Sequence, residues 1–206
     1  MHLKDYGEKY IKIAEKDLMI PWKKGKIDAL LKQNDIVLDI GGAGWQFYQN
    51  FLEKNLDYNL IDYNPVVVDY CTKQGMKALL CDLAHWKLPF EDGAFDLVHI
   101  SHVFEHLDTD EQILIFQEMV RVLKKGWKLV LFSPTPYYFT FYDDFTHKRP
   151  CTHIQLQWLC DNFGMTVLES RYSLTHNFSS NIQNKIRHIP ILRDFLTEVY
   201  LLAKKD

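Results

Sequence analysis

The stretch Val37 to Tyr48, "VLDIGGAGWQFY", starts as a buried strand, breaks into glycines and ends on aromatics. Glycine is needed where the backbone takes positive φ or where a ligand touches the main chain. Here the candidates are Gly41, Gly42 and Gly44, with the small Ala43 between them and Asp39 just before the turn. A carboxylate in that place repels a phosphate and favours an amine-bearing group. The Gly-Lys-Ser/Thr ending of a P-loop is also missing.

Working outward, strand and helix alternate. "DIVLDI", "DYNLIDY", "KALLCDL", "AFDLVHIS" and "WKLVLFSP" are short apolar runs suited to buried strands. Between them, "FYQNFLEKN", "NPVVVDYCTKQG" and "DEQILIFQEMVRVLKKG" space apolar residues at three and four, as a helix with one buried face does. Lys124, Lys125 and Gly126 are expected at the C-terminal end of the third helix, where cations and a left-handed residue are favoured. The segment up to Gln33 has helical spacing and is expected to form an N-terminal cap (1–33). Past Pro134, "TPYYFTFYDDFTHKRP" has no clean period and suits a loop or short helical lid (137–150). A helix, "THIQLQWLCDNFG", and a strand, "MTVLESRYS", follow. Helical turns around Pro190 make a second lid segment (174–195), and "EVYLLAKK" is a last strand. This alternation predicts a doubly wound α/β domain with a mostly parallel sheet, its ligand beyond the C-terminal strand ends.

Two further acids sit at such ends. Asp62 closes the second strand, where a carboxylate can accept from both hydroxyls of an adenosine ribose. Asp82 closes the third, where it can accept from an adenine amino group while the next backbone N–H, that of Leu83, meets a ring nitrogen. Any one of these acids alone fits a helix cap or turn; three at successive strand ends point to a cationic nucleoside without phosphates.

"VLDIGGAG", "LIDYNPVVVDYC", "LLCDLAHWKLPFEDGAFDLVHISHVFEHL" and "EMVRVLKKGWKLVLFSPTP" together resemble the class I S-adenosylmethionine-dependent methyltransferases, in the small-molecule group called type 11. The likeness runs from Ile36 to Pro136, the cofactor-binding core (34–136), and more loosely to the end of a single domain. It implies a Rossmann-like sheet of seven strands with an antiparallel C-terminal strand and a small lid after the fifth. It also implies S-adenosylmethionine as cofactor. Asp39, Gly41, Gly42 and Gly44 would border its methionine part, Asp62 the ribose, Tyr63 the adenine face and Asp82 with Leu83 the adenine edge. Ser101 would lie near the sulfonium. The chain departs from the family's glycine spacing, with Ala43 and Trp45 in two of three places.

"HVFEH", His102 to His106, matches the His-x-x-Glu-His pattern of inverted zinc peptidases. That pattern needs a continuous helix, whereas a strand runs directly into His102, so no metal is expected. The cysteines, Cys71, Cys81, Cys151 and Cys160, form no Cys-x-x-Cys pair and are expected to be reduced. The formal charge of −3 gives no general attraction to a polyanion, and no apolar run nears the roughly 20 residues of a membrane span. A cytoplasmic protein acting on a small-molecule acceptor, with neither nucleic acid nor membrane as partner, is the expectation.

Methyl transfer is a displacement at a positively charged sulfonium, so the protein mainly aligns the nucleophile. If the acceptor is a hydroxyl, a base is needed. His147 is the candidate, with Asp143 or Asp144 to orient it; anchoring a loop is its other reading. The "THKRP" segment is similar to enzymes that modify sugars and surface-glycan precursors. Two other readings remain open: an inactive cofactor-binding module, and a nicotinamide-dependent dehydrogenase, disfavoured because Gly-x-Gly-x-x-Gly is absent and Asp39 would face a pyrophosphate.

Overall fold

A computed structural model describes residues 7–8, 11–12, 19, 21–42, 45–83, 87–138, 140–174 and 196–206. Ala43, Gly44 and nearly all of the expected second lid segment (174–195) lie outside the described residues. Seven strands form one sheet: β1 Ile36–Ile40, β2 Asp57–Asp62, β3 Lys77–Leu80, β4 Phe95–Ser101, β5 Leu123–Pro134, β6 Met165–Leu174 and β7 Leu196–Lys205. Their order is β3-β2-β1-β4-β5-β7-β6. All pairs from β3 to β5 are parallel, and β7 runs antiparallel to both β5 and β6. The order reverses between β1 and β4, which opens a crevice at the C-terminal strand ends.

Alternation along each strand builds two cores. Leu38, Ile40, Val98, Ile100, Leu129 and Leu131 face α4 Thr109–Val122 and α5 His153–Asn162. Val37, Leu60, Leu97, Val130 and Phe132 face α1 Pro21–Asp28, α2 Trp45–Asn50 and α3 Pro65–Lys73. Strands covered on both faces must be apolar at nearly every position, hence the continuous hydrophobic runs in the sequence. Ile11, Ile27 and Leu31 of the N-terminal region join the second core.

Helix starts are set by local side chains. Asn64 accepts from the Val66 N–H at 3.0 Å to begin α3, with Pro65 in the first turn. Asp108 accepts from the Glu111 N–H at 3.0 Å while Glu111 accepts from the Asp108 N–H at 2.7 Å, a reciprocal cap that starts α4.

The end of α4 differs from expectation. The helix stops at Val122, and Leu123 is already extended, fully buried and paired with Phe95. Lys124 is drawn to Asp96 at 2.8 Å. Gly126 does take a left-handed φ of 80°, but inside the irregular start of β5. The cation that caps the helix comes from far away: Lys205 donates to the carbonyls of Arg121 (3.3 Å) and Leu123 (2.7 Å). Burial of Leu123 overrides the local Lys-Lys-Gly signal.

The reciprocal cap predicts that Asp108→Ala lowers unfolding stability by about 1 kcal/mol, read by urea denaturation, with the fold retained.

Candidate active site

The glycine turn is shaped by what lies under and beside it. Gly41 adopts φ +65°, and an added Cβ would sit 2.4 Å from Val103 Cγ2. At Gly42 an added Cβ would fall 2.7 Å from Asp39 Oδ2. Both positions therefore need glycine, one for close approach to the chain after β4 and one to leave room for the Asp39 carboxylate.

Asp39 is only 1% exposed and does not reach the cavity wall. Its Oδ1 meets His99 Nδ1 at 2.8 Å and its Oδ2 accepts from Tyr58 OH at 2.6 Å. Asp39 thus lies beneath the turn, with both oxygens held by neighbouring strands. Burial first, and the Asp39 charge second, push the Tyr58 hydroxyl well above its ordinary pKa.

Above the turn lies a cavity of about 480 Å³, the size of a small-molecule site. Gly41, Asp62, Tyr63, Asp82 and Leu83 share its wall, so five of the expected residues come together at the ends of β1 to β3. Asp62 is buried and accepts from the Asn64 N–H at 2.8 Å. Burial pushes its pKa up to about 6, and the nearby Asp39 charge adds to that against the Asn64 hydrogen bond. Gly42 and Ser101 are not on the wall; Ser101 pairs with Phe132 in the sheet.

The rest of the wall combines residues after β4 and in α4, which the sequence reading did not assign to the site, with residues of the expected lid segment 137–150. His102, Val103, His106 and Leu107 follow β4, Glu111 comes from α4, and Phe145, Thr146 and Lys148 come from the segment after β5. His102 sits at φ 55°, with Nε2 2.7 Å from Glu198 Oε1. Lys23 of α1 pairs with the same carboxylate. Burial works against ionised Glu198, yet Lys23 and His102 outweigh it and hold its pKa at about 2. This cluster ties α1 and β7 to the turn after β4.

His147 does not reach the wall. Its Nδ1 meets the Phe141 carbonyl at 2.6 Å, and its ring packs on Phe141 and His106. Asp144 does not orient that ring; it accepts from the backbone N–H (2.9 Å) and hydroxyl (2.6 Å) of Thr146.

Residues 38–131 match the family described as "Methyltransferase domain". Over that core, residues 38–131, the chain is a match to the S-adenosylmethionine-dependent methyltransferases. A Xenopus tropicalis protein named tRNA (carboxymethyluridine(34)-5-O)-methyltransferase alkbh8 is 34% identical over 117 residues, 54% of this chain but 18% of the relative. The chain thus spans about a fifth of that relative's length. Among solved structures, a putative methyltransferase in complex with the Haloferax volcanii Trm112 methyltransferase activator has a TM-score of 0.73 at 15% identity, covering 98% of this chain and 97% of that one. A SAM-dependent methyltransferase from Archaeoglobus fulgidus has a TM-score of 0.68 at 21% identity, covering 89% and 91%. These structures share the methyltransferase fold, with S-adenosylmethionine as its cofactor. Among the described residues no helix is long and apolar enough to cross a membrane.

The raised Asp62 pKa gives a pH prediction. On the expectation that Asp62 holds the ribose of a cationic cofactor, binding would select its ionised form and displace a proton below about pH 6. Affinity for S-adenosylmethionine rises as pH rises through that value. Lowering pH from about 7.5 to about 5 weakens binding roughly tenfold, measured by calorimetry; the Asp62→Asn variant loses that dependence.

Proposed function

We propose that the chain transfers the methyl group of S-adenosylmethionine to a small organic acceptor held between the turn after β4 and the segment 137–150. The observation that carries this is one cavity in which Asp62 and Asp82 face a wall from His102, His106 and Lys148. The acidic side suits the adenosine of the cofactor: Asp62 accepts from the ribose hydroxyls, Asp82 and the Leu83 N–H meet the adenine edge, and Tyr63 covers the ring. Gly41 lets the methionine part pass close to the backbone. The other side receives the acceptor, and the exposed ring of Phe145 is placed to cover it and limit water.

Alignment is the main contribution of these residues. The acceptor's nucleophile must approach the methyl carbon opposite the sulfonium sulfur, and a bound pair in that geometry replaces a bimolecular encounter. Sugars and surface-glycan precursors are the first acceptors to try, followed by lipid quinones and other metabolites. A carboxymethylated uridine of tRNA is the second reading, favoured by the name of the Xenopus relative. The formal charge of −3 tells against a long polyanionic acceptor.

Calorimetry with S-adenosylmethionine, S-adenosylhomocysteine and NAD tests the reading. Both adenosine ligands are expected to bind, NAD is not, and Asp62→Ala is expected to weaken the former by tenfold to a hundredfold through loss of charged hydrogen bonds. Binding of NAD alone overturns the proposal. Tight cofactor binding without turnover, over a panel that includes the tRNA nucleoside, identifies an inactive module instead.

A further inference from the structure

Three side chains from two separate segments meet beside the acceptor side of the cavity. Glu105 and His106 lie in the short turn Phe104–His106 after β4, and His147 comes from the segment after β5. One possible ligand atom of each lies within 4.8 Å of the others.

The two imidazoles are held in the same way. His106 places Nδ1 3.2 Å from the Thr146 carbonyl and 3.0 Å from Thr146 Oγ1. His147 places Nδ1 2.6 Å from the Phe141 carbonyl. A carbonyl oxygen only accepts, so in each neutral ring Nδ1 carries the proton and Nε2 keeps its lone pair. Thr146 Oγ1 donates to Asp144 Oδ1 at 2.6 Å, which leaves it an acceptor towards His106. Outer hydrogen bonds of this type fix the tautomer and ring orientation of metal-binding histidines.

The third member is buried. Glu105 is 0% exposed, its Oε1 stands 3.4 Å from His102 Nδ1 as an ion pair, and Ser133 Oγ donates to its Oε2 at 3.3 Å. A carboxylate this deeply buried is kept ionised by cationic neighbours, and a bound metal would join His102 in that role.

We infer that Glu105, His106 and His147 form a binding site for a divalent transition-metal cation behind the cavity wall, with His106 the one member of the three on that wall. Two nitrogens and one oxygen suit Zn²⁺ or Mn²⁺ better than Mg²⁺ or Ca²⁺, which prefer all-oxygen shells. Three protein ligands leave a coordination position open, as in catalytic rather than structural sites. Ligands sharing a tetrahedral ion at 2.0–2.1 Å stand about 3.3 Å apart, so loading draws the three side chains together by roughly 1 Å or more. The set differs from the one the His-x-x-Glu-His pattern suggested and departs from the expectation of no metal. His102 is not part of it, because no continuous helix carries it over His106 and its Nε2 faces Glu198.

The use of the metal rests on the methyl-transfer reading. Held by these residues, a metal would favour the deprotonated form of an acceptor hydroxyl, whose proton would go to solvent and whose oxygen would bond to the methyl carbon. The S–C bond breaks with its electron pair kept by sulfur, leaving a neutral thioether.

The test titrates the full chain, stripped with a chelator, with Zn²⁺, Mn²⁺ and Mg²⁺ by calorimetry, and with S-adenosylmethionine in parallel. One equivalent of Zn²⁺ or Mn²⁺ is expected to bind. His106→Ala, His147→Ala and Glu105→Gln should each weaken it at least tenfold, and Thr146→Ala, outside the ligand set, about tenfold. Circular dichroism checks folding, and Thr146→Ala with the histidine variants decides the matter if Glu105→Gln misfolds. Absence of stoichiometric binding, or binding undiminished in the His106→Ala/His147→Ala double variant, overturns the inference. Cofactor binding without metal binding removes the metal site and keeps the methyltransferase reading; metal binding without cofactor binding does the reverse.

Discussion

The buried carboxylate of Asp39 is the interaction on which the site depends. It lies on β1 between Tyr58 of β2 and His99 of β4, with one oxygen on each at 2.6 and 2.8 Å. A buried carboxylate persists only when its oxygens are satisfied, and here the two flanking strands supply both partners. The chain then turns directly over it, which is why Gly42 can carry no Cβ. Its charge also reaches forward. It helps to raise the Asp62 pKa to about 6, so the residue that would hold the ribose is biased towards accepting a cationic ligand.

The sheet order distributes the chemistry along the crevice. With β3 and β2 on one side of β1 and β4 and β5 on the other, the carboxylates at the ends of β2 and β3 fall on one side of the cavity. The histidines after β4 and the lysine after β5 fall on the other. A cofactor over the first side would meet two carboxylates, and an acceptor over the second a wall in which Lys148 pairs with Glu111 at 2.9 Å. The Lys23, Glu198 and His102 contacts fasten the second wall to α1 and to the antiparallel strand β7, far apart in sequence.

The features that depend on near neighbours were legible in the sequence. Strands buried on both faces announced themselves as apolar runs; Asp62 ends β2, while Asp82 lies two residues past the end of β3 at Leu80 and lines the same cavity. Features that depend on distant partners were not. The partners of Asp39, Tyr58 and His99, lie 19 and 60 positions away and take both its oxygens. Lys-Lys-Gly after α4 carries an ordinary helix-stop signal, yet the stop comes earlier, because Leu123 is pulled into the core beside Phe95. His147 had the right chemistry for a base, but the carbonyl of Phe141, six residues back, decides where its ring points. His106 and Glu105 were visible as a motif and were set aside with the helix the motif required.

A crystal structure of the protein with S-adenosylhomocysteine tests the central claim most directly. The account predicts adenosine in the crevice, with both ribose hydroxyls on Asp62, the adenine edge at Asp82 and the homocysteine part running over Gly41 above an undisturbed Asp39. Adenosine bound away from Asp62 and Asp82, or a crevice that stays empty at saturating ligand, would contradict it.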